Sequence, residues 1–130
     1  MRPTAIISWL VRVGLLVGVA SSLGCSGSGQ TGREILIKAG EYANGEMYYI
    51  PDRIDVTADE KISFKLYNEG GEEHSFGSTE AKIPFITTQP QETIVLNWQA
   101  PSLPGTYKIF CDLPDHEKKG MVGTLIVAER

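Results

Sequence analysis

The heptapeptide Lys61–Tyr67 (KISFKLY) alternates polar and apolar residues without a break, so Ile62, Phe64 and Leu66 share one face. A period of two is the signature of a strand with one face buried and one wet. Such a strand needs a second layer to cover its apolar side. Further runs of the same kind lie on both sides. Glu34–Ala39 is apolar and β-branched, Met47–Ile50 and Ile54–Val56 are split by Pro51-Asp52, and Glu92–Trp98, Thr106–Cys111 and Thr124–Ala128 follow. Turn signals separate them: Asn68-Glu69-Gly70-Gly71, Pro101 to Gly105, and Lys118-Lys119-Gly120. No stretch beyond the first two dozen residues sustains a helical period. The pattern predicts one all-β domain, an antiparallel sandwich or barrel of about seven to eight short strands. Gly77–Gln89 is the least regular segment and reads as a loop or a short helical turn. At 130 residues the chain has room for one such domain.

The N-terminus reads differently. Arg2 and Arg12 flank a region without acid, Val13–Ala20 (VGLLVGVA) is a short apolar core, and small residues follow. That order is the order of an export signal. Arg12 keeps the apolar run below the roughly 20 residues of a membrane-spanning helix. Ser22-Leu23-Gly24-Cys25 resembles the processing site of a bacterial lipoprotein, with Ser22 where a larger aliphatic residue is usual. Residues 1–24 are therefore expected to be a lipoprotein-type signal and Cys25 the lipidated residue. Cleavage after Ala20, or a disulfide between Cys25 and Cys111, are the alternatives. Residues 25–33 (CSGSGQTGR) form a Gly/Ser linker, and the folded domain is expected over 34–130. The expectation is an exported protein, periplasmic or at the cell surface, tethered to a membrane by the lipid on Cys25.

The formal net charge is −4, and removal of the signal takes away two arginines and no acid. Lysines and arginines gather into no stripe, which argues against a nucleic-acid partner.

The chemistry-bearing residues concentrate in one loop. Cys111-Asp112-Leu113-Pro114-Asp115-His116-Glu117-Lys118-Lys119-Gly120-Met121 sets a thiolate, an imidazole and a thioether at five-residue steps between two strands. The chain's other histidine, His74, follows the turn after Lys61–Tyr67, at an end that a sandwich can bring beside this loop. Thiolate and thioether sulfur combined with imidazole select copper over hard cations. Two His and one Cys with a weak Met cap are the ligand set of blue copper, and a site held between Cu(I) and Cu(II) preferences changes little when an electron moves. Pro114 fixes one φ inside the loop and stiffens it. Ser75, next to His74, is placed to hydrogen-bond across to the loop. Trp98 and Tyr107 read as packing residues, and Glu72 and Glu73 as solvated turn charges.

From Pro104 through Cys111 and His116 to Val127 the chain resembles the C-terminal half of a plastocyanin- or azurin-type cupredoxin. Its Cys-x4-His-x4-Met spacing is similar to that of auracyanins and rusticyanin. The resemblance spans about Glu34 to Val127. It implies a Greek-key β-sandwich with one copper at one end, held by His74, Cys111, His116 and Met121, with His116 the partly exposed ligand through which electrons pass. The chain departs from many members at Ser75, where asparagine is common, and at Asp115, where glycine is common. Glu73, not glycine, precedes His74.

These readings converge on a type 1 copper protein, a monomer that carries single electrons outside the cytoplasm between partners such as c-type cytochromes or oxidases. Its negative charge would steer it toward basic surfaces in a salt-dependent way. The competing reading is a copper carrier or buffer that holds Cu(I) without redox duty. No enzymatic role is expected, because the two histidines are both used by one copper and further copper centres would lack imidazole.

Overall fold

The computed structural model describes residues 32–130, and all statements of structure refer to them. The expected signal, the lipidated Cys25 and most of the linker lie outside the described residues.

Nine strands run β1 (Arg33–Glu41), β2 (Met47–Ile50), β3 (Arg53–Thr57), β4 (Lys61–Asn68), β5 (His74–Ser78), β6 (Ile83–Thr88), β7 (Thr93–Gln99), β8 (Gly105–Phe110) and β9 (Val122–Ala128). They form two sheets, ordered β2-β1-β4-β7 and β3-β9-β8-β5-β6. The all-β sandwich expected from the alternation is what forms. Arg33, assigned above to the linker, opens β1 instead. It pairs in parallel with Ile62 and its guanidinium bonds Glu60 at 2.6 Å.

Two expectations are corrected. The sandwich is not purely antiparallel: β1 runs parallel to β4, and β3 parallel to β9. Apolar alternation says which face a residue joins, not which way the neighbouring strand runs. Most of Gly77–Gln89 is also neither loop nor helical turn, for β5 and β6 pass through it as an antiparallel pair.

The core forms where the alternating faces meet. Ile62, Phe64 and Leu66 of β4 are buried and stand in register with Trp98, Leu96 and Ile94 of β7. Phe76 of β5 crosses the gap from the second sheet. Its ring lies edge-on to Phe64 at 5.2 Å and to Tyr49 at 5.6 Å, the arrangement aromatic quadrupoles favour. Trp98 packs on Phe64 at 5.5 Å and donates its indole N–H to the Ala81 carbonyl at 3.2 Å, so its role is packing, as expected. Tyr107 is half-buried against the core, with its hydroxyl on the Leu103 carbonyl.

This packing brings the start of β5, the end of β8 and the start of β9 to one end of the sandwich. β5 pairs with β8 at Gly77 and Phe110, and β8 pairs with β9 from Gly105↔Val127 to Phe110↔Val122. His74 and Cys111 each stand at the edge of that pairing. The loop from Cys111 to Met121 bridges β8 and β9.

Candidate metal centre

The turn before His74 is built on Asn68, a fully buried polar residue at the end of β4. Its side-chain NH2 donates to the carbonyls of Glu72 at 2.7 Å and Thr88 at 3.2 Å, while its Oδ1 accepts the Gly70 N–H at 2.9 Å. A buried amide bonded on both sides fixes the chain it touches. Here it fixes where β5 begins, and so the position of the His74 ring.

The loop after Cys111 is a run of tight turns. Cys111 N–H donates to the Met121 carbonyl at 3.1 Å, closing the loop at its neck. Inside, Met121 N–H reaches the His116 carbonyl at 3.1 Å and His116 N–H the Leu113 carbonyl at 3.3 Å. Asp115 has φ of 65°, in the left-handed region. That explains why glycine is common there, and Asp is among the side chains that tolerate it best. Pro114 is exposed on this loop and meets none of the sulfur or imidazole donors through a hydrogen bond; its contribution is a fixed φ.

Three of the expected donors, His74, Cys111 and His116, stand beside one another, and Met121 joins them through the backbone at the neck of the loop. Cys111 and Met121 are buried, and His74 is fully buried. Nδ1 of His116 is 3.4 Å from Cys111 Sγ, and the His74 and His116 rings are 5.4 Å apart, centre to centre. Ser75 donates its backbone N–H to Cys111 Sγ at 3.3 Å, and its hydroxyl lies at the same distance. Ser75 thus reaches the ligand loop as the sequence suggested. Cys111 carries a free thiol. His116 retains 9% exposure where His74 has none, so one imidazole edge opens toward solvent and the other does not.

The electrostatics of the cluster favour a thiolate. Burial raises the Cys111 pKa, but the His74 ring, the Ser75 hydroxyl and N–H, and the Leu113 N–H outweigh it and hold the thiol below its ordinary value. Burial lowers the pKa of His74, yet Cys111 and Glu41 overcome this and hold it above the usual imidazole value. His116 is lowered, by burial first and then by the adjacent His74. Glu72, read as a solvated charge, is mostly exposed but places Oε2 3.7 Å from His116 Nε2. Glu73 is exposed.

One atom tests whether a metal fits. Nδ1 of His74 is the single buried side-chain nitrogen or oxygen, among the described residues, without a hydrogen-bond partner. A buried unpaired polar atom costs about 1–3 kcal/mol. Its opposite nitrogen, Nε2, is bonded to Glu41 Oε2 at 2.8 Å, which leaves Nδ1 as the ring nitrogen free to bind a metal. Among the described residues, no group of three or more His, Cys, Asp and Glu side chains is gathered tightly enough to count as a metal cluster by itself. His74, Cys111 and His116 are neighbours short of such a cluster, and the Met121 side chain is buried at the neck of the same loop. Imidazole, thiolate and thioether donors in a dry pocket suit a soft or borderline metal.

Glu41 is the functional neighbour that the sequence does not disclose. It ends β1, far along the chain from His74, and no local motif joins them.

A family model described as cupredoxin-like domain matches residues 18–127. The chain belongs to that family. Curated proteins yield no match. Among solved structures, the reduced auracyanin of the photosynthetic bacterium Roseiflexus castenholzii superposes with a TM-score of 0.62 at 20% identity, covering 75% of this chain and 98% of that one. A copper-containing nitrite reductase from Thermus scotoductus SA-01 gives 0.62 at 14% identity over 73% of this chain. A multi-copper oxidase from Pseudomonas thermotolerans gives 0.65 at 13% over 75%. The chain spans 30% of each of those two enzymes, against nearly the whole auracyanin. At these identities the likeness is one of fold, and that fold serves carriers and enzymes alike.

Proposed function

We propose that this protein is a type 1 copper protein that carries one electron at a time, with His74, Cys111, His116 and Met121 as its ligands. The buried Nδ1 of His74, left without a hydrogen-bond partner, carries the reading, because the imidazole that bears it stands beside the His116 ring and within reach of the Cys111 sulfur. Bound there, copper supplies a one-electron Cu(I)/Cu(II) couple. The chain's own residues do the rest. The Asn68 turn and the Cys111–Met121 neck hold the donors in place, and burial of Cys111, Met121 and His74 excludes water. Donors held by a braced turn and a closed loop neck suit electron transfer better than metal delivery. His116 gives the partner an edge to approach.

The proposal extends to setting. The chain is read as exported and lipid-tethered through Cys25, a monomer that meets redox proteins such as c-type cytochromes or oxidases. A non-enzymatic role is supported by its two histidines, which leave no imidazole in this chain for a second copper. The likeness to auracyanin along that protein's full length supports the same choice.

The test is optical. The full chain, loaded with copper and oxidised, should show an intense thiolate-to-copper band in the visible, lost on reduction and absent in Cys111→Ser. Copper binding without the band would favour the carrier or buffer reading, and no binding would end both.

A further inference from the structure

Both histidines of the site have a carboxylate beside Nε2, but on different terms. Glu72 lies 3.7 Å from His116, outside hydrogen-bond range, with half its side chain in water. Glu41 lies 2.8 Å from His74, and its side chain is only 22% exposed. Its other oxygen accepts the Gly71 N–H at 2.5 Å, which pins the carboxylate to the turn that delivers His74. An added Cβ at Gly70 would fall 2.1 Å from Glu41 Oε2, so the backbone comes close here because it carries no side chain. The carboxylate is thus fixed at both oxygens, from β1 to the head of β5.

A carboxylate can only accept from a neutral imidazole. Nε2 must then carry the hydrogen, and the lone pair is forced onto Nδ1, the buried atom without a partner. A negative charge behind the ring also makes it a stronger donor and favours the more highly charged state of whatever metal it binds.

We infer that Glu41 is a positioning residue of this centre, which sets the His74 tautomer and biases the bound metal toward its oxidised state. The second half rests on the type 1 copper reading, while the first does not.

Two measurements separate them. Heteronuclear nitrogen NMR of the metal-free full chain, simplified by its two histidines and recorded at alkaline pH where the ring is neutral, should find His74 as the Nε2–H tautomer. Glu41→Leu should release it to a mixture. An Nδ1–H tautomer in the unaltered chain would overturn the proposal whether or not copper binds. In the copper-loaded chain, Glu41→Gln keeps an acceptor of the same shape and removes the charge. It should retain the visible band and shift the oxidised-to-reduced ratio at fixed potential about tenfold toward Cu(I), about 59 mV for one electron. An unchanged potential with the band intact would overturn the bias toward the oxidised state. If the unaltered chain binds no copper yet shows the Nε2–H tautomer, released by Glu41→Leu, the positioning stands and the copper reading falls.

Discussion

The Ser75 hydroxyl lies 2.6 Å from Asp112 Oδ1 and 3.3 Å from Cys111 Sγ, and it has one hydrogen to give. A separation of 2.5–2.7 Å is that of an O–H donating to a charged oxygen. The hydroxyl oxygen is meanwhile occupied as acceptor of the Asp112 N–H at 3.0 Å. The carboxylate is therefore the hydroxyl's stronger acceptor, which weakens the hydroxyl's hold on the sulfur and leaves the Ser75 backbone N–H as the sulfur's firmer donor from this residue. A serine beside the first histidine thus does less to the sulfur than its position in the sequence suggests.

This ordering predicts unequal variants. Asp112→Ala frees the hydroxyl to turn to the sulfur, withdraws electron density from it, and should raise the reduction potential of the copper-loaded chain. Ser75→Ala should move the potential less and leave the backbone N–H contact in place. Potentiometric titration of both decides it. A larger shift in Ser75→Ala than in Asp112→Ala would mean that the hydrogen sits on the sulfur.

The loop geometry makes a second prediction at Asp115, whose φ of 65° belongs to glycine and, less readily, to Asp and Asn. A β-branched side chain has no comfortable rotamer there. Asp115→Val should lower unfolding free energy by about 1–2 kcal/mol in urea titration. Asp115→Gly relieves the backbone but forfeits the exposed contact to Lys118 at 2.8 Å, which is worth little. It should leave stability nearly unchanged, and equal losses in the two variants would show that the contact, not the backbone, matters.

Core and site share one more element, Phe76, which follows Ser75 and bridges the sheets through Tyr49 and Phe64. It is fully buried. Phe76→Ala removes a ring from a close-packed interior and should cost about 3–5 kcal/mol by equilibrium denaturation. A cost below about 1 kcal/mol would mean that the two sheets do not depend on this bridge.

What the sequence discloses follows from what each element must do. Lys61–Tyr67 is legible because one of its faces is buried and the other wet, so chemistry repeats every second residue. His74–Ser78 is illegible for the opposite reason. All five residues are buried, Phe76 is the one large apolar side chain among them, and the register slips between Phe76 and Ser78. Its partner β6 carries Pro84 and hides the same signal. The loop donors Cys111, His116 and Met121 can be read because the chain keeps them close together, and His74 because few imidazoles compete for the role. Glu41 cannot be read, since it depends on strands meeting across the sandwich, and Ser75's choice of Asp112 within the loop depends on β5 pairing with β8 in one sheet.

The last prediction concerns acid, and it turns on carboxylates away from the centre. Arg33 bonds Glu60 and holds its pKa below the ordinary 4.5, against the effect of burial and with help from the Thr57 N–H. Lys38 does the same for Glu69, again against burial, and Tyr48 adds its hydroxyl. Each group is more acidic folded than unfolded, so the unfolded chain binds protons first. Their stabilisation is complete above the unfolded value and is lost as pH falls through the lower, folded values. Glu60 ties β1 to the turn after β3, and Glu69 ties β1 to the turn after β4, so both losses loosen the same sheet. Both pairs are partly exposed, which keeps each contribution modest and salt-sensitive. Unfolding free energy, measured by denaturant from neutral pH downward, should decline below about pH 4.5. Glu60→Gln with Glu69→Gln should be less stable than the unaltered chain at neutral pH and lose less on acidification. Parallel pH profiles for the two proteins would place the acid sensitivity in other carboxylates.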